Sequence, residues 1–445
     1  MKYALLLLTI AMMGWGCAGN DKAGAKDNNE PATLPGTAIL HANQYQLTQV
    51  IIYDVFAPPV ASRIYAYTSL AAYEAIRHSN PGNASLTAQL HGFKPMPQPE
   101  SGKKYNYLLA ATKAYFTVAE KITFSVDSLK QYQDSVYAVF KSALPQDEYE
   151  RSIAFGDTIG KTVLVRSTID NYKKTRGMDR FLGSNTPGKW RPTPPDYVDG
   201  AEPNWKLIVP LALDTASQIP AEAPPAFGTA KTSALYKVAD EVYNISKNLT
   251  DEQKLIARYW DDNPAVMEHA GHMMFLNKKI TPVGHWIGIA GIAAKKANSN
   301  DVETARAYAI TAVAVFDGFI SCWYEKYKSQ LIRPVSYINE FIDKNWQPFL
   351  QTPPFPEHTS GHSTISAAAA TVLTHLYGTN FSFHDDSDKE YIGMERDFTS
   401  FEQAAQEASI SRVYGGIHFT TGCNAGNKNG TAIGNYINQK LKLKE

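Results

Sequence analysis

The segment from Asp301 to Trp323 reads as one long, nearly apolar helix, with no charged residue between Ala307 and Phe316. A helix that is apolar on every side is stable only when other elements enclose it, so it belongs at the centre of the fold. The surrounding chain supplies suitable partners. After Pro58-Pro59, Val60, Ile64, Tyr67, Ala71 and Ala75 lie on one helical stripe, which runs to Ile76 and is stopped by Asn80-Pro81-Gly82. The same period recurs from Asp127 to Leu144, ahead of Pro145, and from Glu148 to Tyr172. It appears again from Thr250 to Trp260, where Thr250 is a cap and Asp251 and Glu252 favour the helix start. Strand-like alternation is scarce. The expected class is all-α, built as helical bundles, and 445 residues are ample for a deep core.

Lysine and arginine number 43 against 43 acidic residues, and charged residues make up only 19%. That balance argues against both a polybasic nucleic-acid binder and an acidic disordered chain, so no nucleic-acid partner is expected. At the N-terminus, Lys2 precedes an apolar run from Ala4 to Trp15 that is too short to span a bilayer and reads as a signal peptide over residues 1–16. Gly16 before Cys17 makes a loose lipobox that resembles a bacterial lipoprotein, with Cys17 acylated after cleavage. Residues 17–40, rich in Gly, Asn, Lys and Asp as far as Pro35, read as a tether, and 41–445 as the helical domain. The expected location is outside the cytoplasm, in the periplasm or at the outer membrane, touching lipid only through this anchor. Cys322 and Cys423 remain as two cysteines that spacing neither pairs nor separates.

One segment departs from the helical pattern. Nine prolines fall between Pro187 and Pro225, with Trp190 and Trp205 among them. Such a long proline-rich loop reads as a stiff belt across the bundle surface, its tryptophans packed down.

Chemistry concentrates between residues 323 and 430, in three blocks. Lys326 is followed by Arg333-Pro334, then comes Ser360-Gly361-His362, then Ser411-Arg412 with His418. Each block alone is weak; all three in this order arise by chance on the order of once in ten thousand chains. Lys326, Arg333 and Arg412 supply three cations, two of them planar forks suited to a tetrahedral oxyanion. Ser360 offers a hydroxyl, and Gly361 an amide that no side chain shields. The Ala-rich run Ser363–Leu376 reads as a helix, so Ser360–His362 sits at its positive end. Two imidazoles remain, His362 and His418. Phosphate or its analogue vanadate fits such a set, with one imidazole as ligand or nucleophile and the other as proton donor.

This arrangement resembles the vanadium haloperoxidase and type 2 phosphatidic acid phosphatase superfamily. Pro59–Tyr65, Trp190–Pro195, Tyr259-Trp260-Asp261 and Thr281–Trp286 are similar to its bacterial haloperoxidase branch, above all to vanadium-dependent iodoperoxidases. The resemblance implies vanadate as cofactor, hydrogen peroxide and halide (iodide first, then bromide) as substrates, and hypohalous acid as product. It implies that Lys326, Arg333 and Arg412 neutralise vanadate, that Ser360 and the Gly361 amide bond to it, that His418 ligates vanadium and that His362 is the acid–base partner. The alternative is a phosphatase with His418 as nucleophile. The family commonly carries Asp four residues after the ligand histidine, where this chain has Gly422. That absence is expected to weaken His418 as a nucleophile unless another group substitutes, which favours the peroxidase.

Trp323 and Phe355 flank the first two blocks, as walls of a halide pocket or as ordinary core. His358 is expected to face solvent. Glu268–His272 holds two histidines three apart and reads as helix packing rather than a metal pair. His285 reads as structural. No interface stripe predicts an oligomeric state.

Overall fold

The structure is a computed structural model that describes residues 36–445 apart from 265, 271 and 272, and gives the backbone alone for 266–270 and 273–277. The expected signal peptide, Cys17 and the expected tether up to Pro35 therefore lie outside the described residues, as does His272. The tether as drawn to residue 40 is too long, because helix α1 (Ala38–Tyr53) has already begun.

Helices dominate. Pro58-Pro59 opens α2 (Pro58–Ile76), where a proline costs nothing because the first-turn N–H groups have no partner. Every residue of this helix from Pro59 on is buried. It packs on α3 (Tyr107–Ile122), α5 (Gln146–Ser167) and the central α10 (Asp301–Ser329), with α4 (Val126–Ala143) outside. The α10 helix starts from a reciprocal cap between Asn300 and Glu303 and runs two turns beyond Trp323. It is long and apolar enough to cross a membrane, yet 94% of its most apolar window is buried in this fold, as a core helix requires. The expected helix Glu148–Tyr172 ends earlier, at Ser167. Asp170 is recruited inward to Arg63 (2.6 Å) and the Tyr67 hydroxyl (2.9 Å), and Asn171 turns the backbone to φ 70° before the single turn α6 (Tyr172–Thr175).

The second half adds α7 (Ala234–Lys247), α8 (Asp251–Tyr259), α9 (Pro282–Lys296), α11 (Pro334–Phe341), α12 (Gly361–Tyr377), α13 (Lys389–Ile392), α14 (Phe401–Tyr414) and α15 (Thr420–Lys440). Thr250 caps α8 as expected, in a reciprocal pair with Gln253. Two antiparallel hairpins interrupt the helices. One pairs β1 (Val266–Ala270) with β2 (Met273–Asn277), and the other β3 (Phe383–Asp385) with β4 (Arg396–Phe398). The Glu268–Ala270 segment is thus strand rather than the expected helix.

The α12 and α15 helices touch backbone to backbone. Gly422, Gly426, Gly430 and Gly434 recur every four residues and so share one face of α15. A Cβ on Gly430 would lie 2.0 Å from the Thr364 carbonyl oxygen, and one on Gly426 2.9 Å from that of Ser360. The proline belt lies across the bundle with Trp190 and Trp205 fully buried, as expected. It is pinned by Asp317 of α10, whose carboxylate accepts from the amides of Leu211, Ala212 and Leu213 at 2.7 Å each. Cys322 and Cys423 are both buried and unpaired as thiols.

Candidate active site

Three chain reversals bring the blocks together. At the end of α10, Gln330 takes a left-handed conformation (φ 52°), and Arg333 then caps α11 with Pro334 at its first position. This returns Arg333 beside Lys326. Ser360 caps α12, its hydroxyl oxygen accepting from the Ser363 amide, which leaves the O–H for another acceptor. The Gly361 and His362 amides head that helix, where N–H groups have no intrahelical partner. His418 stands between the end of α14 and the start of α15.

His418 is 3% exposed and bonded on both ring nitrogens. Nδ1 lies 2.8 Å from Oε1 of Glu357, while Nε2 lies 3.1 Å from Nη1 of Arg333. The carboxylate accepts and the guanidinium donates, so the neutral ring carries its proton on Nδ1 and a lone pair on Nε2. Burial, then Arg333, Lys326 and Arg412, hold its pKa well below the ordinary histidine value. Glu357 is also held by the Phe419 amide at 3.1 Å. A Cβ on Gly422 would lie 2.2 Å from Glu357 Oε1. Glycine at 422 therefore makes room for an acid supplied from 357, and the expected weakness of His418 is corrected. His418 has a carboxylate partner, and Gly422 gives no argument against a phosphatase.

The cations are buried. Lys326 Nζ donates to the carbonyls of Pro356 (2.9 Å) and Glu357 (3.1 Å). Arg333 donates to Phe355 O and Ile417 O at 2.7 Å each, and its Nη2 is buried with no hydrogen-bond partner. Arg412 donates to Ser411 Oγ (2.9 Å) and the Trp260 carbonyl. Burial pushes Lys326 down to about 7, with Arg333 adding, and pushes Arg333 down to about 10. Both cations lean on one carboxylate, Glu357, itself pushed up to about 7 by burial. The surplus positive charge and the orphan guanidinium N–H suit a compact anion with several oxygens.

A cavity of about 210 Å³ opens onto this cluster. Gly361, His362, Arg412 and His418 reach it directly; Lys326, Arg333 and Ser360 stand behind them. Trp323 and Phe355 form part of its wall, with ring centroids 5.1 Å apart, together with Phe319, Pro353 and Pro354. The belt contributes Ala201, whose carbonyl accepts from Trp323 Nε1 and the Tyr327 hydroxyl. A Cβ on Gly361 would rest 3.7 Å from the Trp323 ring and fill part of this space. His362 Nε2 faces Asp262 Oδ2 at 3.7 Å, and burial pushes the ring down to about 4 with Arg412 adding. His358 is 1% exposed, correcting its expected solvent position; its Nε2 donates to the Glu222 carbonyl because the chain turns inward behind Lys326.

Sequence reading missed two site residues. Glu357 lies just ahead of the second block, one position before His358, and Asp262 directly follows Tyr259-Trp260-Asp261. Both signals were present as acids beside a motif, but their partners come from reversals that spacing does not reveal.

A helical bundle that gathers buried cations, a helix N-terminus and two imidazoles around one cavity defines a class of oxyanion-binding enzymes. The solved structure described as the first bacterial vanadium-dependent iodoperoxidase is similar over 94% of this chain and 99% of its own, at 43% identity and a TM-score of 0.88. The chain belongs to the vanadium-dependent haloperoxidase family. Holo and apo bacterial vanadium-dependent chloroperoxidases share the fold, with TM-scores of 0.67 and 0.66 at 17% and 16% identity. They match 87% and 86% of this chain and 93% and 94% of their own. The family profile for the VCPO second helical-bundle domain matches residues 339–443. No curated protein matches the sequence.

Proposed function

We propose that this enzyme uses vanadate and hydrogen peroxide to oxidise iodide, with bromide as a poorer substrate. The supporting observation is the buried cation cluster opening onto an apolar wall of Phe319, Trp323 and Phe355. Iodide is the most easily oxidised and most weakly hydrated of the common halides, so a dry aromatic wall penalises it least. The 43%-identical relative is an iodoperoxidase, which supports the same reading.

Lys326, Arg333 and Arg412 would hold the vanadate oxygens by charge, and Ser360 O–H and the Gly361 amide by hydrogen bonds. His418 Nε2 would be the vanadium ligand, since its lone pair is fixed by the Nδ1–Glu357 bond. Vanadate bound there supplies a Lewis acid that polarises the peroxide O–O bond toward halide attack. Overall, hydrogen peroxide, iodide and a proton become hypoiodous acid and water. His362 carries the proton: neutral at rest, it accepts one from hydrogen peroxide and returns it to the product. The wall residues exclude water, so that halide and peroxide meet undiluted.

Purified protein given orthovanadate, peroxide and iodide is expected to form triiodide, followed by its absorbance; no signal above the vanadate-free control rejects the proposal. His362→Ala should retain vanadate yet turn over roughly 10²–10⁴-fold more slowly, the scale of a lost general acid–base group. Turnover within a factor of about two of wild type would remove His362 from the proton path.

Export and lipid anchoring through Cys17 belong to the same proposal, supported by Lys2, the Ala4–Trp15 run and Gly16. Labelled palmitate should enter the wild-type chain and not Cys17→Ala; equal labelling of both would place any lipid elsewhere.

A further inference from the structure

Behind His362 lies a second polar cluster in which, among the described residues, no lysine or arginine is bonded. His285 is fully buried in α9 and stacked on Trp260 at 4.4 Å between centroids, with an interplanar angle of 15°. Its Nε2 lies 2.9 Å from Asp385 Oδ2, and its Nδ1 lies 3.1 Å from Asp262 Oδ1 and 3.3 Å from Asp388 Oδ2. Burial opposes charge on this ring, but Asp262, Asp388 and Asp385 outweigh it and hold its pKa well above the ordinary histidine value, so we assign His285 as an imidazolium that donates from both nitrogens. Asp262 is 2% exposed and has a second oxygen, Oδ2, without a hydrogen-bond partner; His362 Nε2 is likewise unpartnered, 3.7 Å away. Two orphan atoms facing one another at that distance need only a small ring rotation to bond.

We propose that Asp262 and His285 are positioning residues for the peroxidase: His285, clamped by Asp385 and Asp388, fixes Asp262 so that its free oxygen orients His362 and supports its protonated state. The inference rests on the reading of His362 as proton carrier. Burial and Arg412 oppose charge on His362, and Asp261 and His418 lie nearby; the Asp262 carboxylate, facing it at 3.7 Å, is the anion placed to offset them. On the far side, among the described residues, Asp262 and Asp385 face His285 as carboxylates, Asp388 is pushed up to about 8 by burial with Asp262 and Asp385 adding, and the Tyr259 hydroxyl bonds the Asp385 carbonyl. The shared cluster explains why a carboxylate with an orphan oxygen is tolerated in the interior: its other oxygen is tied to a cation.

The test uses the vanadate-loaded full chain. Asp262→Asn and His285→Gln should lower kcat by about 10- to 100-fold while vanadate affinity and the iodide KM stay within about threefold. In Asp262→Asn the acid limb of the kcat–pH profile should move to lower pH, because loss of the carboxylate makes protonated His362 harder to form and the resting base persists further into acid; Asp262→Glu should recover part of the rate. Unchanged kcat and pH profile in both variants overturn the proposal. If His362→Ala itself keeps full turnover, the underlying reading has failed instead. Wild-type protein labelled with ¹⁵N-histidine supplies a readout independent of activity and of whether the variants fold. Both His285 nitrogens should remain protonated at about pH 8, where an ordinary imidazole is neutral. A neutral ring, or a divalent metal in stoichiometric amount whose removal by chelator alters the His285 resonances, overturns the assignment.

Discussion

His418→Ala is expected to abolish stable vanadate retention, and with it halide oxidation by more than about 10²-fold, beyond the usual cost of losing a supporting partner. Ser360 and the Gly361 amide would reach the anion through hydrogen bonds, whereas the His418 imidazole would offer the Nε2 lone pair to the metal. The cations that remain, Lys326, Arg333 and Arg412, would attract an oxyanion by charge alone, so the variant should bind vanadate weakly and reversibly, displaced by phosphate. Equilibrium dialysis with vanadium analysis reads this directly. A His418→Ala chain that still holds a stoichiometric vanadium after dialysis, while His362→Ala loses it, would show that the two histidines have exchanged roles.

The second large effect is predicted at a residue with no functional group. Gly422→Ala places a methyl where Glu357 Oε1 now lies, at 2.2 Å, a distance that no adjustment of a few tenths of an ångström relieves. Glu357 must swing away, leaving His418 Nδ1 and the Phe419 amide without their acceptor. Vanadate affinity should fall about 10- to 100-fold, the range seen when a ligand histidine loses its carboxylate. Glu357→Ala should show a similar loss. The double variant Glu357→Ala, Gly422→Asp supplies an acid from the other backbone position and should recover part of it, measured as vanadate affinity in both backgrounds. If Gly422→Ala binds vanadate as tightly as wild type, the coupling between these positions is wrong.

How much of this could be read from residues alone follows from where the information is local. The α2 and α8 starts were legible because Pro58-Pro59 and Thr250 act within one turn. The buried course of α10 was legible because its apolar surface has no polar face to offer water. The three blocks announced an oxyanion site through their residue types, and the structure gathers them into one cluster, of which Gly361, His362, Arg412 and His418 reach the cavity. The α15 helix was harder: Thr420–Lys440 carries four glycines and little apolar periodicity, the composition of a loop, and becomes helical because α12 accepts its bare face. The Glu357–His418 and Asp262–His362 pairs were illegible for another reason, being products of chain reversal at 330–333 and of helix packing. The pairing of β1 with β2 shows the same limit, since the spacing of two histidines says nothing of strand pairing.

The bare face of α15 also divides the molecule into a frame and a lining. Here α15 offers no side chain to vary, and α12 meets it with the Ser360 and Thr364 carbonyls and small side chains such as Ser363 and Ala367, so the separation between the Ser360 end of α12 and the His418 end of α15 leaves little room to change. Changes of halide preference must then be written elsewhere, in the Phe319–Trp323 flank, the Pro353–Phe355 loop and the Ala201 edge of the belt, which can be recast while the anion seat keeps its dimensions.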